Sequence, residues 1–156
     1  MRKAKSIKNS GQGNPMFGKT SKGGRSVKGK YKGHFFRSLL EYSFMKYLEA
    51  SGHDINEDVL YEQIRIPIDV SHTYCADFYV KSIRTLYEVK PSRLTSLKEN
   101  VKKFAAAMTF CKQNNMSFRV VTEKDFHKYD FQIAQLDPDV EFDVRTFRFF
   151  NRNNEE

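Results

Sequence analysis

The sequence predicts a mixed α/β fold, a β-sheet flanked by helices, with a basic flexible N-terminal arm. Three observations carry this: positive charge gathered at the start of the chain, helical apolar spacing in two segments, and β-branched runs between and after them. With 156 residues, 39% of them hydrophobic and 14% aromatic, the chain can bury one core of ordinary size. The expected division is an arm over residues 1–33 and one folded domain over 34–156.

The arm comes first. Residues 1–33 hold ten Lys or Arg and no Asp or Glu, whereas the rest carries 17 basic and 19 acidic side chains, so the whole positive excess behind the net charge of +8 sits in the arm. Gly, Ser and Asn are frequent there and large apolar residues scarce, so the segment alone cannot bury enough surface to offset its ordering entropy. It is expected to stay mobile until it meets a polyanion. Within it, Asn14, Pro15, Met16, Phe17, Gly18 and Lys19 form a distinct string. Pro15 fixes one φ angle, Gly18 permits a turn, and Met16 with Phe17 offers an apolar wedge flanked by cations. The string resembles the nuclease-associated modular DNA-binding motif of phage and intron homing endonucleases. Lys22, Arg25, Lys28 and Lys30 extend the expected DNA contact.

The folded elements follow in order. Phe36, Leu39, Leu40, Phe44, Tyr47 and Leu48 recur at helical spacing and Gly52 follows, so a helix is predicted over 35–51. Leu60 to Ile68 reads as a strand, with Pro67 marking an edge or bulge. Tyr74 to Val80 and Arg84 to Val89, separated by a few polar residues, should pair as a hairpin. Ser96 to Glu99 has the form of a capping box, and Leu97, Val101, Phe104, Ala105 and Met108 mark one face of a helix ending near Asn114. Phe118 to Thr122 reads as a further strand, with a short helix after it. The aromatic-rich stretch 130–150 carries no clear pattern.

Several classes are disfavoured. Cys75 and Cys111 lie far apart with no CxxC spacing, so neither a zinc site nor a disulfide framework is indicated. The four histidines show no ligand spacing. No apolar run approaches the roughly 20 residues that span a bilayer, and the basic N-terminus lacks the apolar core of a signal peptide. A cytoplasmic setting without membrane contact is expected.

The chemistry lies in four residues. Glu41 falls in the first helix beside its apolar stripe, Asp77 within one hairpin strand, and Glu88 with Lys90 at the end of the other. In an extended strand residues i and i+2 share a side, so Glu88 and Lys90 face together while Val89 faces the core. Carboxylates supply hard oxygen ligands for Mg²⁺, and a lysine beside them can orient water, which are the needs of phosphodiester hydrolysis. Taken singly, Glu41 reads as a solvated helix charge and Glu-x-Lys as an ordinary strand end.

Together these residues resemble the PD-(D/E)XK nuclease superfamily. Phe36 to Glu41 and His72 to Phe78 are similar to phage endonuclease I, a Holliday-junction resolvase. Tyr87 to Pro91 and Phe118 to Glu123 are similar to the catalytic domain of the transposon-end endonuclease TnsA. Ala76 stands where the family name has proline, and Pro91 where the resolvase has glycine. The resemblance implies a restriction-endonuclease-like fold. It also implies that Asp77, Glu88 and the Val89 carbonyl hold Mg²⁺, with Mn²⁺ able to substitute, that Glu41 completes the metal shell, and that Lys90 positions the attacking water. Arg93, Lys98 and Lys102 read either as phosphate contacts or as a solvated face.

The resulting expectation is a Mg²⁺-dependent DNA endonuclease of homing type, from a phage or mobile element and acting in a phage-infected or bacterial host cell. A structure-selective resolvase of branched DNA and a non-catalytic DNA-binding protein are the competing readings. Cutting both strands of a duplex calls for two sites, hence a homodimer.

Overall fold

The computed structural model describes residues 26–143 and Arg145. The arm motif Asn14 to Lys19, with Lys22 and Arg25, lies outside the described residues. The chain divides into two compact units, Leu40–Tyr129 and the segments on either side of it.

The flanking unit is a three-stranded antiparallel sheet. Strands β1 (Gly29–Tyr31) and β2 (His34–Phe36) pair through Gly29↔Phe36 and Tyr31↔His34. Lys32 and Gly33, at φ 51° and 85°, make the two-residue turn, whose primed geometry requires positive φ at both positions. The C-terminal strand β9 (Val140–Phe142) adds to the far side of β1, where a side chain at Gly29 would run into the Glu141 carbonyl. A short helix, Phe131–Gln135, is capped by Asp130, whose carboxylate accepts the Ile133 N–H. Lys30, read from sequence as arm, thus belongs to strand β1, and Lys28 lies just before it between buried Val27 and Gly29. Helical spacing counted Phe35 and Phe36 into the first helix, but the Lys32-Gly33 turn recruits them as strand.

The Leu40–Tyr129 unit is built around a four-stranded sheet. Helix α1 (Leu39–Ala50) precedes it. The sheet contains β3 (Val59–Tyr61), β6 (Phe78–Val80), β7 (Thr85–Val89) and β8 (Ser117–Val121), ordered β8-β7-β6-β3. The predicted hairpin is present: β6 and β7 pair antiparallel with Val80↔Thr85, joined by a 3-10 turn that ends on left-handed Arg84. Strand β8 returns parallel to β7 after helix α2 (Lys98–Gln113).

Leu60 to Ile68 does not form one strand. Glu62 adopts φ 51°, and beyond it β4 (Arg65–Pro67) leaves the sheet to pair with β5 (Thr73–Cys75) as a separate ribbon. Tyr74 to Val80 is accordingly split between β5 and β6, with Ala76 and Asp77 at the joint.

Every residue of β7 is buried, because both sheet faces are covered. On one, Phe44 of α1 meets Tyr87 at 5.0 Å between ring centres and Phe78 at 5.4 Å. On the other, Leu86 packs with Ile66, Tyr74 and Ala76 of the ribbon segment and with Ala107 and Cys111 of α2. Small side chains on α2 permit this close approach. The expected apolar face of α2 is therefore not its buried face: Leu97, Val101 and Met108 are exposed, Met108 at 62%. The expected capping box is absent too: beyond the 3-10 turn Ser92–Leu94, the helix starts at Lys98 behind an extended Leu97, with no side-chain cap bond. Asn100 instead donates its side-chain amide to the Leu94 carbonyl.

Candidate functional site

The site lies within the Leu40–Tyr129 unit, and three elements bring it together. Helix α1 contributes Glu41. This helix buries an unbroken run from Leu40 to Met45, because Phe44 faces the sheet while Ser43 accepts the Tyr129 N–H at 2.8 Å. Glu41 is thus buried rather than a solvated helix charge. The left-handed turn after β3 contributes Glu62, whose N–H donates to the Asp77 carbonyl at 3.1 Å. The joint between β5 and β6 contributes Asp77. Carboxylate oxygens of Glu41, Glu62 and Asp77 all lie within 4.8 Å of one another.

Glu62 is the member that sequence reasoning missed. A non-glycine residue with positive φ carries no reliable sequence signature. The polar pair Glu62-Gln63 interrupting a run of Leu and Ile was the available sign.

Asp77 ties this cluster to the sheet. Its Oδ2 accepts the Val89 N–H at 2.8 Å, so the aspartate is held against the end of β7. Burial drives its carboxyl well above the usual range, and the negative charges of Glu88 and Glu41 push further the same way. A crowded set of oxygen donors whose central carboxyl resists ionisation fits a hard divalent cation such as Mg²⁺, which would neutralise the repulsion.

Glu88 has different company. It is 4% exposed, and its Oε1 accepts the Tyr74 hydroxyl at 2.7 Å while Oε2 lies 3.3 Å from Lys90 Nζ. Burial raises its carboxyl; the Tyr74 bond, followed by the Lys90 charge, opposes that rise. Glu88 and Lys90 share a side of the strand as the two-residue period requires. The face they share is covered by the ribbon and α2, which makes it interior. Lys90 is anchored through its N–H, which donates to the Val121 carbonyl of β8 at 3.0 Å. The chain beyond it is pinned where the Ser92 N–H and hydroxyl both donate to Glu123, holding that carboxyl down to about 2.

Of the expected DNA contacts among described residues, Arg93, Lys98 and Lys102 are exposed on the 3-10 turn and α2. Lys102 reaches Asp69 at the ribbon tip, 3.6 Å away. Lys28 and Lys30 belong to the flanking unit. His72 is exposed, its ring on Asp69 at 2.7 Å. Of the two cysteines, Cys111 is buried and Cys75 half-buried, and both are free.

Helices on both faces of a mixed sheet, with carboxylates converging at one end of its central hairpin, define an α/β fold of the restriction-endonuclease-like class. The family model described as TnsA-like endonuclease N terminal matches residues 52–123, a span that holds Glu62, Asp77, Glu88 and Lys90 and begins after Glu41. No curated protein and no solved structure matches the chain. The family match, slightly under half the chain, supports a nuclease of some kind. No helix among the described residues is long and apolar enough to cross a membrane.

Proposed function

We propose that this chain is a Mg²⁺-dependent DNA endonuclease of homing type, cutting phosphodiester bonds with Glu41, Asp77, Glu88 and Lys90. The observation that carries the reading is the convergence of Glu41, Glu62 and Asp77 carboxylates beside the Glu88–Lys90 pair, inside a segment similar to TnsA-like endonucleases. Asp77, Glu41 and Glu62 would hold the ion, with Glu88 and the Val89 backbone at the adjoining strand end. A bound divalent ion supplies Lewis-acid polarisation of the phosphate and eases deprotonation of water.

The chain's own residues do the rest. Lys90, half-buried and paired with Glu88, presents an ammonium that orients the attacking water and steadies charge on the phosphate. Glu88 keeps that ammonium in place. Burial of the surrounding side chains strengthens each of these interactions by lowering the local dielectric.

Site choice is assigned to the arm, whose Asn14 to Lys19 string resembles the homing-endonuclease motif. Two copies acting on opposite strands would give a double-strand break. The endonuclease I likeness of Phe36 to Glu41 and His72 to Phe78 favours a second reading, a resolvase of branched DNA.

The test is to incubate the purified protein with Mg²⁺ and a random linear library, phage genomic DNA and a four-way junction, and to map the ends. Discrete ends in genomic DNA support the homing reading and cuts confined to the junction support the resolvase. No cuts with any divalent metal would leave a DNA-binding protein. Deleting residues 1–25 retains β1 and should flatten the fall of DNA affinity with salt; an unchanged slope makes the arm a bystander.

A further inference from the structure

We propose that Tyr74 is a positioning residue of this site, fixing the Glu88 carboxylate for Lys90, and that Lys103 of α2 seats the Tyr74 ring. The inference rests on the nuclease reading and adds two residues to it. Tyr74 belongs to the β4–β5 ribbon, whereas Glu88 belongs to the four-stranded sheet, so the 2.7 Å bond between them joins two separate sheets. Tyr74 is 7% exposed and Glu88 4%. A neutral phenol facing a carboxylate donates its proton, and in that buried setting no water competes for the bond.

The terminal torsion of a glutamate is broad, so one donor leaves the carboxyl plane free to turn. Two donors on different oxygens remove that freedom. Tyr74 takes Oε1 and Lys90 faces Oε2, so the hydroxyl decides which oxygen remains for the lysine. Loss of the hydroxyl would leave Glu88 held from one side.

Successive lysines of α2 hold the ribbon. Lys102 pairs with Asp69 at its tip, and Lys103 places Nζ 5.9 Å from the centre of the Tyr74 ring, a cation–π contact. Lys103 is half-buried and pairs with no carboxylate among the described residues, while its charge reaches Glu88. Its position is thus explained by Tyr74 and Glu88 rather than by a surface ion pair.

The test compares the wild type with Tyr74→Phe and Lys103→Met, measuring kcat and KM for Mg²⁺-dependent cleavage of a DNA the wild type cuts, with thermal midpoints alongside. Tyr74→Phe keeps the ring and the Lys103 contact and removes one atom. Its kcat should fall about 10- to 100-fold, the usual loss when a supporting partner of a site residue is removed, with KM within about twofold of the wild type. Lys103→Met, which keeps the stem, should lower kcat about threefold at unchanged KM. A folded Tyr74→Phe protein with wild-type kcat, or with its loss in KM alone, overturns the inference. If Tyr74→Phe is unfolded at the assay temperature, Lys103→Met decides, and an unchanged kcat there overturns it. A wild type that cuts no DNA sinks both the nuclease reading and this one, whereas a cutting wild type matched by its variants sinks this one alone.

Discussion

The two halves of the carboxylate constellation are built on opposite electrostatic plans. Glu41, Glu62 and Asp77 crowd three acids within 4.8 Å, and the charge of Glu41 helps drive the Asp77 carboxyl upward. Glu88, across the same hairpin from Asp77, is matched to a hydroxyl and an ammonium. The first arrangement gathers three acids at one place and suits a divalent cation. The second already contains its cation. A fold that needed only stability would avoid the first, so its adjacency to the second at one strand end supports the proposed site.

The sharpest way to break this contrast is Asp77→Asn. Asp77 joins the two halves, since it bonds the Val89 N–H and feels the charges of both Glu88 and Glu41. If metal-assisted charge stabilisation is worth several kcal/mol, cleavage should fall by about 1,000-fold or more. Stabilisation by Mg²⁺, read as the rise in thermal midpoint on adding the ion, should vanish as well. Retained Mg²⁺ stabilisation would place the ion elsewhere. Next in size is Lys90→Met, which removes the cation of the second half; kcat should drop about 100- to 10,000-fold while the Mg²⁺-dependent midpoint shift persists. Loss of that shift would show that the halves are not separable.

Glu62→Gln probes the first half more gently. Glu62 is exposed, so its substitution should leave the unaided fold intact and weaken Mg²⁺ binding about 10- to 100-fold, seen as a shift in the metal concentration that half-saturates cleavage. Half-saturation at the wild-type concentration would reduce Glu62 to a bystander of the turn it makes.

How much of this was legible in the sequence differs between the same two halves. The β6–β7 hairpin and the Glu88–Lys90 pair follow from strand alternation, a local rule that tertiary context did not disturb. Glu41 was legible through family resemblance alone, because helical periodicity cannot tell that α1 is covered from Leu40 to Met45. Glu62 was hidden by a backbone event, the left-handed residue that splits Leu60 to Ile68 and sends β4 into the ribbon. A second break, at Ala76-Asp77, is equally silent in the apolar pattern of Tyr74 to Val80. Helix α2 teaches the converse. Periodicity puts its large apolar residues on the core face, yet the fully buried α2 side chains of the cluster are the small Ala107 and Cys111, Phe110 is only partly buried against them, and Val101 is left 51% exposed. Periodicity identifies a helix better than it identifies which face a neighbour will cover.

The smallest predicted effect concerns stability and pH in the metal-free protein. The folded carboxyl of Asp77 lies well above its ordinary value of 3.8, and that of Glu88 is raised from 4.5. The folded state therefore binds these protons more tightly than the unfolded chain does. Stability from such groups is fully present below the unfolded values and is lost as pH rises through the folded ones. Asp58, held down chiefly by the Ser82 hydroxyl, and Glu123, held at about 2 by Ser92, act in the opposite sense. Above about pH 5 those two are ionised in folded and unfolded chains alike, so they add no slope there. From about pH 5 to 8 the wild type should lose thermal midpoint relative to Asp77→Asn, by on the order of a few degrees in a chain of this size. Saturating Mg²⁺ should remove the slope from the wild type and leave the variant unchanged. A gap between the two proteins that stays constant across that range would mean that Asp77 ionises as readily folded as unfolded, and the electrostatic contrast between the two halves of the site would disappear with it.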